Sequence, residues 1–238
     1  GMVMGGDAVE DLWRGVARAE RRRIELSPLP HLEWMRARVG EREVPGDGSN
    51  PLIIACARAI GLDWYRKDET PWCAVFLYGA LAAVGLPTRP SALARSFCDH
   101  GTALAWPVRG AIGVIPRGAN PLYGHVFVID RVEGRSLRVI EANASDRVKV
   151  GTVARASLLP DGIRWPAGLA MTEEAKAAAA AARPDPRGFG ARWLDMHDEG
   201  EDVRALQRAL TRLGVEPRLD GTGWFGPKTR AAVEAFQA

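Results

Sequence analysis

Thr70-Pro71-Trp72-Cys73-Ala74-Val75-Phe76 is the stretch on which the reading of this chain turns. Thr70 suits a helix cap, Pro71 suits the first helical position, and the apolar run from Val75 to Val84 ends at Gly85. The pattern predicts a helix with Cys73 in its first turn. There, unpaired N–H groups and the positive end of the helix dipole favour a thiolate. A free thiol titrates near pH ~8.5, and such a position lowers that by about one unit or more. The plain alternative is a small buried core cysteine. The two readings separate on whether the chain also supplies a base.

The 238 residues suffice for one large or two modest domains with a real core. Composition is that of an ordinary globular protein, and the net charge of +3 is spread along the chain. No segment carries the concentrated basic face that nucleic-acid binding needs, so no nucleic-acid partner is expected. Asp7, Glu10 and Asp11 interrupt any apolar leader near the start, and no run reaches a membrane-spanning length. Synthesis in the cytoplasm without a signal peptide is therefore expected. The three cysteines (Cys56, Cys73 and Cys98) form no closed disulfide framework and show no metal-ligand spacing. Neither a metal nor another cofactor is expected.

Working outward, residues 7–25 read as one amphipathic helix, with Leu12, Trp13, Val16, Ala17 and Ile24 near one face. Pro30 to Val39 makes a second helix before Gly40, and Asn50-Pro51 opens a third that ends at Gly61. The Cys73 helix and one from Ser91 to Asp99 follow. The period then changes to two. Ala111 to Ile115, Tyr123 to Asp130 and Ser136 to Ala142 are short β-branched runs, and Arg147 to Val153 adds a fourth. Glu133-Gly134 is the expected hairpin turn between the second and third. Helices first and an antiparallel sheet after them define an α+β domain. The expected boundaries are an N-terminal amphipathic helix over 1–29, the α+β domain over 30–168, an Ala/Pro-rich linker over 169–190 and a small all-α unit over 191–238. Six consecutive alanines, Ala177 to Ala182, favour a short helix within the linker.

A cysteine nucleophile needs a base, and the base needs an orienting group. Tyr123-Gly124-His125-Val126-Phe127 places His125 at the start of a strand, and Glu141-Ala142-Asn143 ends the next. Period two puts Glu141 and Asn143 on one face, near the level of His125 if the hairpin turns at Glu133-Gly134. Either could fix the imidazole tautomer.

These motifs, in this order, resemble the CHAP domains (cysteine, histidine-dependent amidohydrolases/peptidases) and the related NlpC-type papain-like cell-wall peptidases. They are similar above all to a phage-associated CHAP-like group. The resemblance runs through Gly40-Glu41-Arg42-Glu43-Val44-Pro45-Gly46, Asn50-Pro51-Leu52-Ile53, Asp68-Glu69-Thr70-Pro71-Trp72-Cys73-Ala74-Val75-Phe76 and Ala94-Arg95-Ser96-Phe97. It continues through Arg117-Gly118, Gly124-His125-Val126, Asn143-Ala144-Ser145-Asp146 and Arg164-Trp165-Pro166. It implies a papain-like fold with helices packed on an antiparallel sheet, Cys73 as nucleophile and His125 as general base. Many relatives carry Gly-Gly-Asn where this chain has Glu141-Ala142-Asn143. Asn143 fits both patterns and is favoured as the orienter, with Glu141 the other candidate. Asp68 and Trp72 are candidate substrate-binding residues of the cleft; helix capping is the alternative for Asp68 and core packing for Trp72.

The last fifty or so residues read differently. Gly200-Glu201-Asp202-Val203 opens an amphipathic helix carrying Val203, Leu206, Leu210 and Leu213, followed by the turn-rich Asp220 to Pro227 and a helix from Lys228 to Gln237. This layout resembles the three-helix peptidoglycan-binding module of cell-wall hydrolases. It implies a peptidoglycan partner, with Asp220, Trp224 and Thr229 as candidate binding residues. Together the two resemblances imply a monomeric, endolysin-like peptidoglycan hydrolase that cleaves an amide bond, as amidase or endopeptidase, and acts on the wall after release. A non-catalytic wall-binding or particle-structural protein, or a secreted antibacterial amidase effector, are the alternatives.

Overall fold

The computed structural model describes residues 6–120, 122–181 and 201–237, and the chain divides into two compact units at 181/182. In the first unit, helices α1 (Gly6–Asp11), α2 (Arg18–Glu25), α3 (Pro30–Ala37), α4 (Pro51–Ala59) and α5 (Cys73–Ala83) precede a sheet. Its strands are β1 (Thr102–Ala103), β2 (Ile112–Pro116), β3 (Gly124–Glu133), β4 (Ser136–Glu141), β5 (Lys149–Ala154) and β6 (Ile163–Trp165). The order β1-β6-β2-β3-β4-β5 is antiparallel throughout. Helix α6 (Glu173–Ala181) closes the unit. The expected α+β class is what the structure shows.

Every residue of α5 is buried. A helix that is apolar all round belongs inside a core, and α5 packs against α3, α4 and β3. Gly79 permits the close approach of α4, because a Cβ there would overlap the Cys56 sulfur. The start of α5 differs from the expectation. Trp72, not Thr70, is the N-cap residue, it offers no side-chain cap, and Cys73 rather than Pro71 is the first helical residue. The cause lies in tertiary contacts: Tyr65 Oη donates to the Thr70 carbonyl (2.5 Å) and Trp72 Nε1–H donates to Glu43 Oε1 (2.7 Å). These hold 70–72 outside the helix. The shift leaves Cys73 on the first turn.

Asn50 behaves as expected, its side-chain oxygen accepting from Leu52 N (2.8 Å) at the start of α4. The expected single helix over 7–25 is instead two, α1 and α2, because Gly15 at φ 78° takes a left-handed conformation that breaks the run. Nor is this segment a separate appendage. Leu12, Trp13 and Ile24 lie in the main core, and Trp13 Nε1–H donates to the Ala83 carbonyl at the end of α5 (3.1 Å). The Ser91–Asp99 helix is a shorter 3-10 turn, Ala94–Asp99.

The expected linker over 169–190 needs a similar correction at its start. Ala175 and Ala178 of α6 are fully buried in the core, and Ala105 N donates to the Ala178 carbonyl (3.0 Å). Small alanines let this helix dock closely, so it belongs to the first unit. The rest of the expected linker, and residues 191–200, lie outside the described residues. In the second unit the described helices are α7 (Glu201–Arg212) and α8 (Pro227–Gln237). The resemblance implies three helices, and the described residues 201–237 hold these two. Leu210, Leu219 and Ala232 form the small core of this unit.

Candidate active site

Two elements converge on the thiol. The burial of α5 fixes Cys73 at its N-terminus, 3 % exposed, and strand β3 brings His125 beside it. Pairing Phe127 with Glu141 sets β4 so that Glu141 shares a face with His125, two residues along. His125 Nε2 and Glu141 Oε2 are 2.8 Å apart, both side chains almost buried. Nε2 is taken by the carboxylate, which leaves Nδ1 as the ring nitrogen available to the Cys73 thiol. The imidazole is thus clamped between a thiol and a carboxylate.

The electrostatics follow. Burial alone would raise the Cys73 thiol, but the His125 imidazolium and the backbone N–H groups of Val126 and Ala74 outweigh it, and the thiol falls below its ordinary value. Burial alone would lower His125, but its hydrogen bonds to Cys73 and Glu141 and their charges raise it to about 9. Both shifts act toward a thiolate–imidazolium pair. The other described candidates behave in the opposite way. Burial raises Cys56, and it pushes Cys98 up to about 12. His31 and His100 are lowered to about 4, each chiefly by burial, and are held neutral. Among the described residues, only Cys73 and His125 bring a lowered thiol against a raised imidazole.

The first intrahelical bond of α5 is Phe76 N to the Trp72 carbonyl (2.8 Å), so the N–H groups of 72–75 have no helical acceptor. They form a ready cradle for developing negative charge.

The structure sorts the orienting candidates. Glu141 touches His125; Asn143 makes no hydrogen bond to it. Strand β4 ends at Glu141, and Asn143 turns into the left-handed region at φ 56°, followed by Ser145 and Asp146 at 57° and 58°. The alternation that would have kept Asn143 on the His125 face stops there. The preference for Asn143 is thereby corrected in favour of Glu141.

Asp68 and Trp72 are corrected too, since both are wholly buried. Asp68 Oδ2 accepts from Val44 N (3.0 Å) and Asn50 N (2.7 Å), tying down the segment that leads into α4. Trp72 packs edge-on against Phe76 and holds Glu43. Neither lines a surface. The sequence reading missed Glu43 as the partner of Trp72; its spacing in Gly40-x-x-Glu43-x-x-Gly46 was the available signal. The segment bearing Glu43 is itself anchored beside β5, with Gly40 N donating to the Val148 carbonyl (2.9 Å) and Glu43 N to that of Asp146 (3.0 Å).

In the C-terminal unit, Asp220 is exposed and Trp224 is 42 % exposed, whereas Thr229 is buried. Thr229 Oγ1 accepts from Gln207 Nε2 (3.0 Å), which makes it structural and corrects its place among binding residues. Gln207 is the hub that the sequence reading overlooked: Nε2 also donates to the Trp224 carbonyl (2.9 Å) and Oε1 accepts from Gly223 N (2.8 Å). A buried amide with these partners locks the Gly223–Trp224 loop onto α7. Gln207→Ala is expected to cost about 1–3 kcal/mol for a buried partner left unsatisfied. Urea unfolding of the full chain checks this, with an earlier transition for the C-terminal unit.

A family described as a peptidoglycan binding domain matches residues 199–238. No curated protein and no solved structure matches the chain. The match supports peptidoglycan as a partner and an association with the cell wall. Among the described residues no helix is long and apolar enough to cross a membrane, and no cluster of His, Cys, Asp and Glu is arranged to hold a metal ion.

Proposed function

We propose that the protein is a cysteine-dependent peptidoglycan hydrolase that cleaves an amide bond of wall peptides, as an amidase or an endopeptidase. The observation that carries this is the Cys73–His125–Glu141 line at the start of α5, in which a lowered thiol and a raised imidazole meet. The peptidoglycan-binding match at 199–238 supports the substrate class.

In this reading the Cys73 thiolate attacks the amide carbonyl carbon, and N–H groups at the start of α5, which have no helical acceptor, receive the oxyanion. His125, protonated and held by Glu141, gives its proton to the leaving amine as the C–N bond breaks. The product is a thioester on Cys73. His125, now neutral, takes a proton from water, the hydroxide adds to the thioester carbonyl, and the thiolate leaves. The proton lost to the amine is thus replaced by one from water, and the starting thiolate and imidazolium are restored. The protein would be made in the cytoplasm and reach the wall after release.

The pH profile of turnover tests the pair. The reactive form needs the thiolate and the imidazolium together. Activity should rise on an acid limb below 9.0, where the lowered thiol ionises, and fall on an alkaline limb near pH 9 as His125 loses its proton. Release of soluble wall fragments across pH 5–10 measures both limbs. A profile with its alkaline fall near the ordinary histidine value of about 6.5 contradicts the pairing.

A further inference from the structure

Gly151 on β5 has no backbone reason to be glycine. The positive-φ glycines of the chain do not include it, so an alanine would fit its conformation. It lies in the middle of a strand, where glycine weakens the element and leaves nothing to pack. The reason is spatial. A Cβ built on Gly151 would overlap Glu141 Oε1 and lie 2.9 Å from its Cδ. The pairings Val139–Gly151 and Glu141–Lys149 put the empty position next to the Glu141 side chain on the shared face. Lys149, opposite Glu141, brings Nζ to 4.0 Å from the same Oε1. One carboxylate oxygen thus occupies the space over Gly151, beside Lys149, while the other holds His125.

We infer that Gly151 is a positioning residue of the site: its missing side chain makes the slot that keeps the Glu141 carboxylate at hydrogen-bonding distance from His125. The role rests on the catalytic reading of Cys73 and His125, but the slot itself does not. Glu141 is a flexible side chain, so a Cβ at 151 displaces it at little cost to folding. The displaced carboxylate then no longer supports the imidazolium. Misplacing a supporting group by about 1 Å can cost on the order of 100-fold in rate.

The experiment compares wild type, Gly151→Ala, Glu141→Ala and the two combined, in which no carboxylate meets the added methyl group. Two readouts are taken on the full chain: wall-fragment release, and the proton NMR titration of the His125 ring. His31 and His100, lowered to about 4, titrate far from it. Gly151→Ala is expected to lower turnover roughly 100-fold and to move the His125 titration downward. Because Gly151 acts through Glu141, adding Gly151→Ala to Glu141→Ala should change neither readout further. Unchanged titration and turnover in Gly151→Ala overturn the role, and so does a double variant clearly more impaired than Glu141→Ala alone. Should Gly151→Ala fail to fold, the double variant must fold, because the same overlap is relieved; failure of both also overturns it. A wild type that releases no fragments refutes the catalytic reading instead, while the titration still decides the slot.

Discussion

Cys73→Ala is expected to lower peptidoglycan hydrolysis roughly 10⁴- to 10⁶-fold while the chain stays folded. Loss of a nucleophile in a catalytic unit has effects of this order, because no other group can form the covalent intermediate. The described alternatives within the chain are poor. Cys56 is buried in the core with its thiol pushed up, and Cys98 is pushed up to about 12. The substitution replaces one small side chain by a smaller one at the start of α5, whose other ten residues remain buried. Circular dichroism should be unchanged, and sedimentation with insoluble peptidoglycan should persist, since the matched binding segment lies at 199–238. Turnover and wall binding would then separate cleanly. Retained hydrolysis by the purified variant refutes the assignment of the nucleophile.

Glu141→Gln should be the next most damaging change, at roughly 10²- to 10⁴-fold in turnover. The amide matches the carboxylate in size but removes its charge. His125 owes its elevation in part to the hydrogen bond and charge of Glu141, so its titration should fall from about 9. The sign is fixed by that elevation: with less support the imidazolium loses its proton at lower pH, and the alkaline limb moves down with it. A mutation that merely loosened the strand would reduce activity without moving the limb. Asn143→Ala provides the contrast. With no hydrogen bond from Asn143 to His125, its substitution should leave the limb in place. Steady-state rates of fragment release from pH 5 to 10 for the two variants check both statements. A larger shift in Asn143→Ala than in Glu141→Gln would restore Asn143 as the orienter.

What the sequence made legible was local. The Asn50-Pro51 cap, the period-two runs that became β2 to β5, and the glycine stop after α4 all depend on neighbouring residues, and the structure follows them closely. The hairpin turn was displaced by only one residue, to Gly134-Arg135 between paired Glu133 and Ser136. Strands β1 and β6, of two and three residues, are too short to show a period and exist because they pair with each other and, through β6, with β2. The errors share one cause. Trp72, Asp68 and Thr229 are residue types that often serve surfaces, and their burial is set by Glu43, Val44, Asn50 and Gln207, which are distant in sequence. Asn143 failed for a different reason. Extending an alternation beyond the end of its strand ignored the left-handed turn that begins there. Gly151 was silent in the sequence because its meaning is the volume it leaves empty, which only the paired strand reveals.

Muropeptide mass spectrometry tests the central claim most directly. Purified peptidoglycan is digested with wild type and with Cys73→Ala under identical conditions, and the soluble fragments are sequenced by fragmentation. The proposed chemistry predicts wild-type products in which one amide bond has gained the elements of water, giving a new amine and a new carboxylate, and none of these with Cys73→Ala. Intact amide bonds in the wild-type digest, or the same new ends from the Cys73→Ala digest, would contradict it.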